Sequence, residues 1–194
     1  MEEGQSLLAA VKDCKLCEPF LPLGPRPVVA VSGESRILLI GQAPGTRVHE
    51  TGIPWNDRSG EELRRWLDVD PDTFYDRKIF GIMPMGFCYP GRGKGGDLPP
   101  RPECAPLWHS KLIKSMPKVK LTLLIGDHAQ RYYLGRKRKR NLTETVRCFE
   151  NYLPDFFPLV HPSPRNRLWM RNNDWFESEV IPVLREKVLQ LITN

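Results

Sequence analysis

The sequence lacks any long uninterrupted run of apolar residues, which bears on where the protein works. No stretch approaches the roughly 18 apolar residues of a membrane span. The first residues, MEEGQSLLAAVKDCK, carry acidic side chains where a secretory signal peptide would be basic. We therefore expect a cytoplasmic protein without membrane contact. The length of 194 residues, of which 40% are hydrophobic, predicts one domain over residues 1–194 around a single core.

Cysteine is scarce, and a second Cys-x2-Cys pair is missing. Cys14 and Cys17 form one such pair, whereas Cys88 and Cys104 are separated by fifteen residues. Because cysteines of cytoplasmic proteins seldom form disulfides, these four form either a metal site or a set of ordinary buried thiols. Four thiolates suit zinc or an iron–sulfur cluster, and a zinc ribbon usually has the second pair. Spacing favours a metal site, and we interpret Cys148 as a core thiol.

Acidic residues are in the minority, and the imbalance is local. The chain has 29 Lys and Arg against 23 Asp and Glu, a net charge of +6. Five consecutive cations carry most of the excess, since the net charge without them is +1: Arg136, Lys137, Arg138, Lys139 and Arg140. Such a run is typical either of a nucleic-acid contact or of a solvated loop.

Short apolar runs alternate with helical patterns along the chain. Four runs predict strands, the first and third of them buried on both faces: 36–40, 78–83, 121–126 and 156–160. Four segments have the spacing of helices: 59–67, 102–114, 127–134 and 174–192. Ser59 is the expected N-cap of the first helix, with Glu62 completing a capping box. The alternation predicts an α/β fold of three layers, α/β/α, with a mostly parallel central sheet.

Three long loops, 41–58, 84–102 and 161–170, follow predicted strands. Ligands bind at the carboxyl ends of the strands in open α/β sheets, so we expect the functional site there. The segment Gly91–Gly96 formally satisfies GxGxxG, but it does not open a helix, and a dinucleotide site is therefore disfavoured.

Two of these loops carry compact motifs. GQAPG at 41–45 directly follows a strand, and its small residues allow either the close approach of a ligand or a tight turn. HPSPRN at 161–166 places a histidine, a hydroxyl and an arginine on a proline-stiffened turn. That combination suits either anion and phosphate binding or an ordinary surface loop.

Together these motifs resemble the uracil-DNA glycosylase superfamily, most closely its iron–sulfur branch, family four. In that branch the first motif reads GEAPG, followed after six residues by GxPF; here GIPW at 52–55 follows GQAPG at the same spacing. HPSPRN is similar to the second motif of the single-strand-selective branch. The four cysteines also have counterparts, and the resemblance extends from about residue 10 to residue 190.

The resemblance implies a reaction and assigns residues to it. A DNA glycosylase flips a damaged nucleotide out of the stack, holds the base in a pocket and stabilises the leaving base anion while water adds to the sugar. His161 would donate to the base oxygen on which charge develops. The base would lie against the backbone at Gln42 and Ala43 and stack on Trp55, where the family usually has Phe.

The resemblance also implies a partner and a cofactor. The partner is DNA containing damaged bases, with Ser163 on a flanking phosphate and Arg165 filling the vacated stack, and with the run 136–140 contributing charge. No obligate protein partner is implied. The cofactor is a [4Fe-4S] cluster of structural role, held by the four cysteines, that pins the N-terminal segment to the loop between Cys88 and Cys104.

Two departures from the family pattern matter for the chemistry. Ala43 stands where the best-known branch has its water-activating Asp, so the carboxylate would come from elsewhere, with Glu50 as the first candidate and His49 as the second. Pro84 stands where the iron–sulfur branch has the Asn that reads uracil, and proline has neither a side-chain donor nor an N–H. We expect a broad pocket read by shape, unless Asn56 or Asp57 reads the base edge.

Two rival functions remain open from the sequence. The first is a non-catalytic module that binds nucleic acid and senses damage. The second is an iron–sulfur enzyme that acts on a free or RNA-borne nucleobase. Four cysteine ligands disfavour the second rival, because a catalytic cluster usually keeps one iron free of protein ligands.

Overall fold

A computed structural model describes residues 2–193, and the side chains of residues 6–193. Its strands are β1 Ile37–Ile40, β2 Phe80–Ile82, β3 Arg92–Gly93, β4 Gly96–Asp97, β5 Leu121–Ile125 and β6 Phe156–Leu159. Four of them form a central sheet in the order β2-β1-β5-β6, with every neighbouring pair parallel. The strands β3 and β4 pair antiparallel in a small hairpin. The predicted parallel sheet is therefore confirmed.

Helices cover both faces of this sheet. They are α1 Glu2–Lys12, α2 Thr46–Thr51, α3 Arg58–Leu67, α4 Pro71–Tyr75, α5 Ser110–Lys114, α6 Asp127–Leu134, α7 Leu142–Arg147, α8 Arg167–Arg171 and α9 Ile181–Thr193. A π-helical turn precedes α5 at Ala105–His109, and another precedes α9 at Phe176–Val180. Within residues 2–193 no helix has both the length and the apolarity to cross a membrane.

The alternation of side chains along β1 explains the three layers. Ile37 and Leu39 pack in one apolar cluster with residues of α3 and α9. Leu38 and Ile40 point to the opposite face and pack in a second cluster that includes Leu112 of α5. Successive strand residues face opposite sides, so a strand that is apolar at every position needs helices on both. The predicted α/β/α architecture is confirmed.

The start of α3 differs from the expected capping box. Asp57, in an extended conformation, is the N-cap, and its carboxylate accepts a hydrogen bond from the Gly60 N–H at 2.8 Å. Ser59 already lies inside the first turn, so the prediction of Ser59 as N-cap is wrong. Glu62 instead accepts hydrogen bonds from Arg65 and Trp66. A carboxylate at the N-cap is also favoured by the positive end of the helix dipole.

The parallel arrangement brings the ends of the central strands to one edge of the sheet. The loops after β1, β2 and β6 therefore meet there, together with the turn after β5. Gly126, which ends β5, donates its N–H to the Leu159 carbonyl at 2.8 Å and lies directly beside His161. This edge is where a ligand site is expected in an open α/β sheet.

Candidate functional site

A pocket of about 400 Å³ opens at this edge of the sheet. Its size lies in the range of small-molecule sites in proteins. It brings together six of the residues singled out from the sequence: Gln42, Ala43, Trp55, His161, Ser163 and Arg165. Motif GQAPG supplies one wall and motif HPSPRN another, so loops far apart in the chain form a single cavity.

His161 is the ionisable group best placed for chemistry in this pocket. Its imidazole ring lies 5.6 Å from the Trp55 ring, centroid to centroid. Burial lowers the pKa of His161 to about 4, and the negative charge of Asp57 opposes the shift only partly. The ring is therefore neutral near pH 7 and carries a single N–H to donate. The Asn166 side chain steadies the loop by donating to the His161 carbonyl at 2.7 Å.

Trp55 sits in a turn that only small neighbours permit. Its backbone is in the left-handed region, with φ of 56°. A Cβ on Gly60 would overlap the Trp55 carbonyl oxygen, and a Cβ on Gly41 would lie 2.7 Å from the indole ring. Arg64 donates to the same carbonyl at 3.3 Å. These contacts hold the indole against the floor of the pocket, where it can stack on a flat ligand.

The carboxylates that line the pocket are Asp57 and Asp97. Glu50 lies outside it, because α2 presents Val48 to the pocket and adjacent helix positions point about 100° apart. Glu50 is exposed, and its carbonyl accepts from Arg26 at 2.8 Å. The structure likewise does not bring His49 into the pocket.

Asn56 is also outside the group of residues that line the pocket. Its neighbour Asp57 is inside, held there by its role as the N-cap of α3. One carboxylate oxygen of Asp57 accepts from the Gly60 N–H. Of the two candidates for a substitute reader, the structure therefore favours Asp57 by position.

Pro84 lines the pocket at the position of the family's Asn, and its remaining polar atom is already engaged. The Pro84 carbonyl accepts from Nε2 of His109 at 3.1 Å, which fixes the proton on Nε2. Nδ1 of His109 then accepts from the Tyr133 hydroxyl at 2.6 Å. Burial lowers the pKa of His109 to about 4, so this ring is neutral. The pocket wall at Pro84 consequently offers no free hydrogen-bonding group.

The β3–β4 hairpin reaches across the mouth of the pocket and was not predicted. Gln42 donates its side-chain amide to the Leu98 carbonyl at 3.2 Å, and Arg165 donates to the Gly95 carbonyl at 2.6 Å. A Cβ on Gly96, whose φ is 140°, would overlap the Arg165 guanidinium. The hairpin therefore joins both motifs, and Arg165 lies folded against it.

The basic run 136–140 lies apart from the pocket-lining residues. Arg138 forms an ion pair with Asp127 and its side chain is only 14% exposed, so it is not free to bind a phosphate. The other four cations are exposed. A groove adjoining the pocket shares Ser163 with it and carries Arg58 and Arg167, both exposed.

Cys14, Cys17, Cys88 and Cys104 line a second, separate pocket, which we call the cysteine cage. All four are free thiols, and Cys148 lies outside the cage. Burial raises the pKa of Cys88 to about 11 and that of Cys104 to about 12, with the neighbouring cysteines adding to both shifts. Within residues 2–193 no group of three or more His, Cys, Asp or Glu is arranged to hold a single metal ion.

The cage has further features that bear on what it can hold. Apolar side chains of Leu21 and Phe87 close it, and Arg101 lies at its side. Trp108 also lines it, and the Trp108 indole nitrogen is buried without a hydrogen-bond partner. Such an unpaired donor costs about 1–3 kcal/mol, which an acceptor in the cage would relieve. The donor set of thiols and this N–H fits a cofactor bound through thiolates.

The fold and the pocket define an α/β protein with a ligand site at the carboxyl edge of a parallel sheet. A family model described as the uracil DNA glycosylase superfamily matches residues 29–185. The chain belongs to the uracil-DNA glycosylase superfamily. The matched region contains the pocket motifs, Cys88 and Cys104, whereas Cys14 and Cys17 precede it.

Among solved structures, the chain is similar to the solution NMR structure of a Methanosarcina acetivorans protein that is provisionally described as a uracil DNA glycosylase. The identity is 19%, the TM-score is 0.46, and the match covers 82% of this chain and 94% of that one. A likeness at this level carries no argument about function.

Proposed function

We propose that the protein is a DNA glycosylase that hydrolyses the N-glycosidic bond of uracil or of another deaminated or damaged base in base-excision repair. The observation that carries this proposal is the neutral His161 facing Trp55 across a cavity of nucleobase size, on the superfamily's own motifs. Trp55 would stack on the flipped base, and His161 would donate to the oxygen that becomes negative as the bond breaks.

A neutral imidazole is chemically suited to this task. A donor aimed at the place where charge develops lowers the barrier without transferring its proton. His161 remains neutral because burial opposes protonation, and its loop is held by Asn166. His161→Ala should slow single-turnover base release more than about tenfold while DNA affinity stays nearly unchanged.

We further propose that Asp57 orients the attacking water, in place of Glu50 or His49. Asp57 lines the pocket and its charge acts on His161, whereas Glu50 and His49 are outside. One of its oxygens is tied to the helix, which leaves the other to accept from water. In single-turnover assays Asp57→Asn should reduce the rate more than Glu50→Gln does, and the reverse order would contradict this assignment.

The structure supports a base choice governed by shape. A uracil reader needs one acceptor and one donor, and the wall at Pro84 provides neither because His109 occupies the carbonyl. Shape alone discriminates only about ten- to two-hundredfold. We expect excision spread over several deaminated or damaged bases, and Pro84→Asn should narrow it towards uracil. Wild-type action on uracil alone would contradict the broad pocket.

We also propose that the protein belongs to the iron–sulfur branch and that the cysteine cage holds a [4Fe-4S] cluster. The proposal is supported by four thiols from two chain segments and by the unpaired Trp108 donor. When bound, the cluster would cross-link the segments, a structural role. Cys88 and Cys104 would then anchor the ends of the loop that carries the hairpin. Stoichiometric zinc without iron in anaerobically purified protein would contradict the cluster.

The substrate would be DNA, contacted beside the pocket. Ser163 adjoins both the pocket and the groove that carries Arg58 and Arg167, so a strand entering the pocket would pass these cations. Arg165 is bonded to the hairpin, and the most exposed apolar side chain nearby is Leu168, 68% exposed. We propose that Leu168 assists or replaces Arg165 in filling the vacated stack.

A further inference from the structure

The cysteine cage contains a buried donor for which the proposed function has no use. Among residues 6–193 the buried side-chain nitrogen and oxygen atoms without a partner are His49 Nδ1, Trp108 Nε1, Gln130 Oε1 and Arg138 Nε. Of these four residues, only Trp108 lines the cage. An indole nitrogen can donate but never accept. Its pairing therefore requires an acceptor that the protein itself does not supply.

Local structure explains why this indole lies beside the cysteines. Cys104 immediately precedes the π-helical turn Ala105–His109, so Trp108, four residues later, returns to the same side of the helix. The Lys111 ammonium lies 5.3 Å from the centroid of the Trp108 ring, a cation–π contact that restrains the ring. The side chain is thus held in place by the element that also positions a cage thiol.

The cage also has positive charge at its side. Arg101 lines it, pairs with Glu103, and stacks its guanidinium 4.2 Å from the centroid of the Phe20 ring. Glu103 in turn accepts a hydrogen bond from the Cys17 thiol at 3.6 Å. A cage with a cation beside it and a buried N–H donor favours negatively charged sulfur within it.

We propose that Trp108 donates a hydrogen bond from Nε1 to a sulfur of the iron–sulfur cluster or of its cysteine ligands, an inference that rests on the cluster proposed above. Reduction adds an electron to the cluster and makes its sulfurs more negative, so this bond is stronger in the reduced state. Hydrogen bonds to the sulfurs are among the factors that set the reduction potential of such clusters. Trp108 therefore raises that potential.

Two variants of the intact protein test this inference. Trp108→Phe removes the N–H and keeps an aromatic ring in the cage. Trp169→Phe is the matched control, because the Trp169 indole donates to Thr143 at 2.9 Å in the core away from the cage. All three proteins are purified without oxygen, assayed for iron and sulfide, and titrated with a reductant while the cluster is followed by electron paramagnetic resonance. The midpoint potential of Trp108→Phe should be more negative than that of wild type and Trp169→Phe.

The outcomes separate the two proposals. A full iron load with equal potentials in all three proteins would overturn the Trp108 hydrogen bond and leave the cluster proposal intact. The absence of iron and sulfide from wild type would overturn the cluster and the bond with it. If Trp108→Phe does not fold, ultraviolet resonance Raman spectra of wild type with and without cluster decide instead. One of the five indole N–H groups should gain a hydrogen bond on loading, and identical indole spectra would overturn the inference.

Discussion

The buried His109 makes the stability of the protein depend on acid in a way that can be calculated. His109 is 1% exposed, and burial lowers its pKa from 6.5 to about 4. In the unfolded chain the same ring takes up its proton below pH 6.5. Between these two pH values the unfolded state therefore binds more protons, so the contribution of His109 to stability is present above pH 6.5 and is lost as the pH falls through 4.

The magnitude follows from the two pKa values. Each pKa unit corresponds to 1.36 kcal/mol, so the full difference is about 3.4 kcal/mol and about 2.5 kcal/mol of it is lost by pH 4.5. With a typical urea dependence of about 2 kcal/mol per molar, this loss lowers the unfolding midpoint by roughly 1 M between pH 7.5 and 4.5. Other groups also titrate over this interval, so a variant is needed to isolate His109.

His109→Gln is that variant, because its amide can still donate to Pro84 and accept from Tyr133 but does not titrate in this range. Urea unfolding followed by circular dichroism at both pH values should show a smaller acid loss in the variant, by about 2.5 kcal/mol. An identical acid loss in the two proteins would refute the reasoning, since it would mean that His109 does not stay neutral in the folded state.

Three further predictions concern the pocket and its approaches. Gly60→Ala should destabilise the protein by several kcal/mol, because the new methyl would overlap the Trp55 carbonyl oxygen; an unchanged thermal midpoint would contradict this packing. Replacing the run 136–140 with serines should flatten the salt dependence of DNA affinity by at most four phosphate contacts, about 0.7–0.9 each in log–log slope, because Arg138 is already paired; an unchanged slope would identify a solvated loop. Leu168→Ala should slow base release from duplex DNA and spare single strands, and equal losses on both would exclude a stacking role.

The sheet and its helices were predictable because their signals are local. The apolar run Ile37–Ile40 needs helices on both faces, and the helix of 127–134 has the predicted bounds. The pocket was predictable in part, since motifs after β1 and β6 must meet at one edge of a parallel sheet. Short-range spacing sufficed for these inferences.

The features that were missed depend on contacts between residues distant in sequence. Arg165 bonds to Gly95 seventy residues away, and the His109 side chain occupies the Pro84 carbonyl from another helix. No periodic pattern encodes either contact. Asp57 was different, because a carboxylate three residues before Gly60 is an N-cap signal as good as the serine that was preferred.

The most direct test of the glycosylase assignment is chemical identification of the products. Wild type is incubated with duplex and single-stranded oligonucleotides, each carrying one deaminated or oxidised base, and free bases and abasic DNA are quantified by mass spectrometry. Our account predicts release of intact free base, an abasic site in equal amount, and a loss of more than about tenfold in His161→Ala. Tight binding of such DNA by wild type with no base released from any of them would contradict the account and indicate a non-catalytic damage sensor.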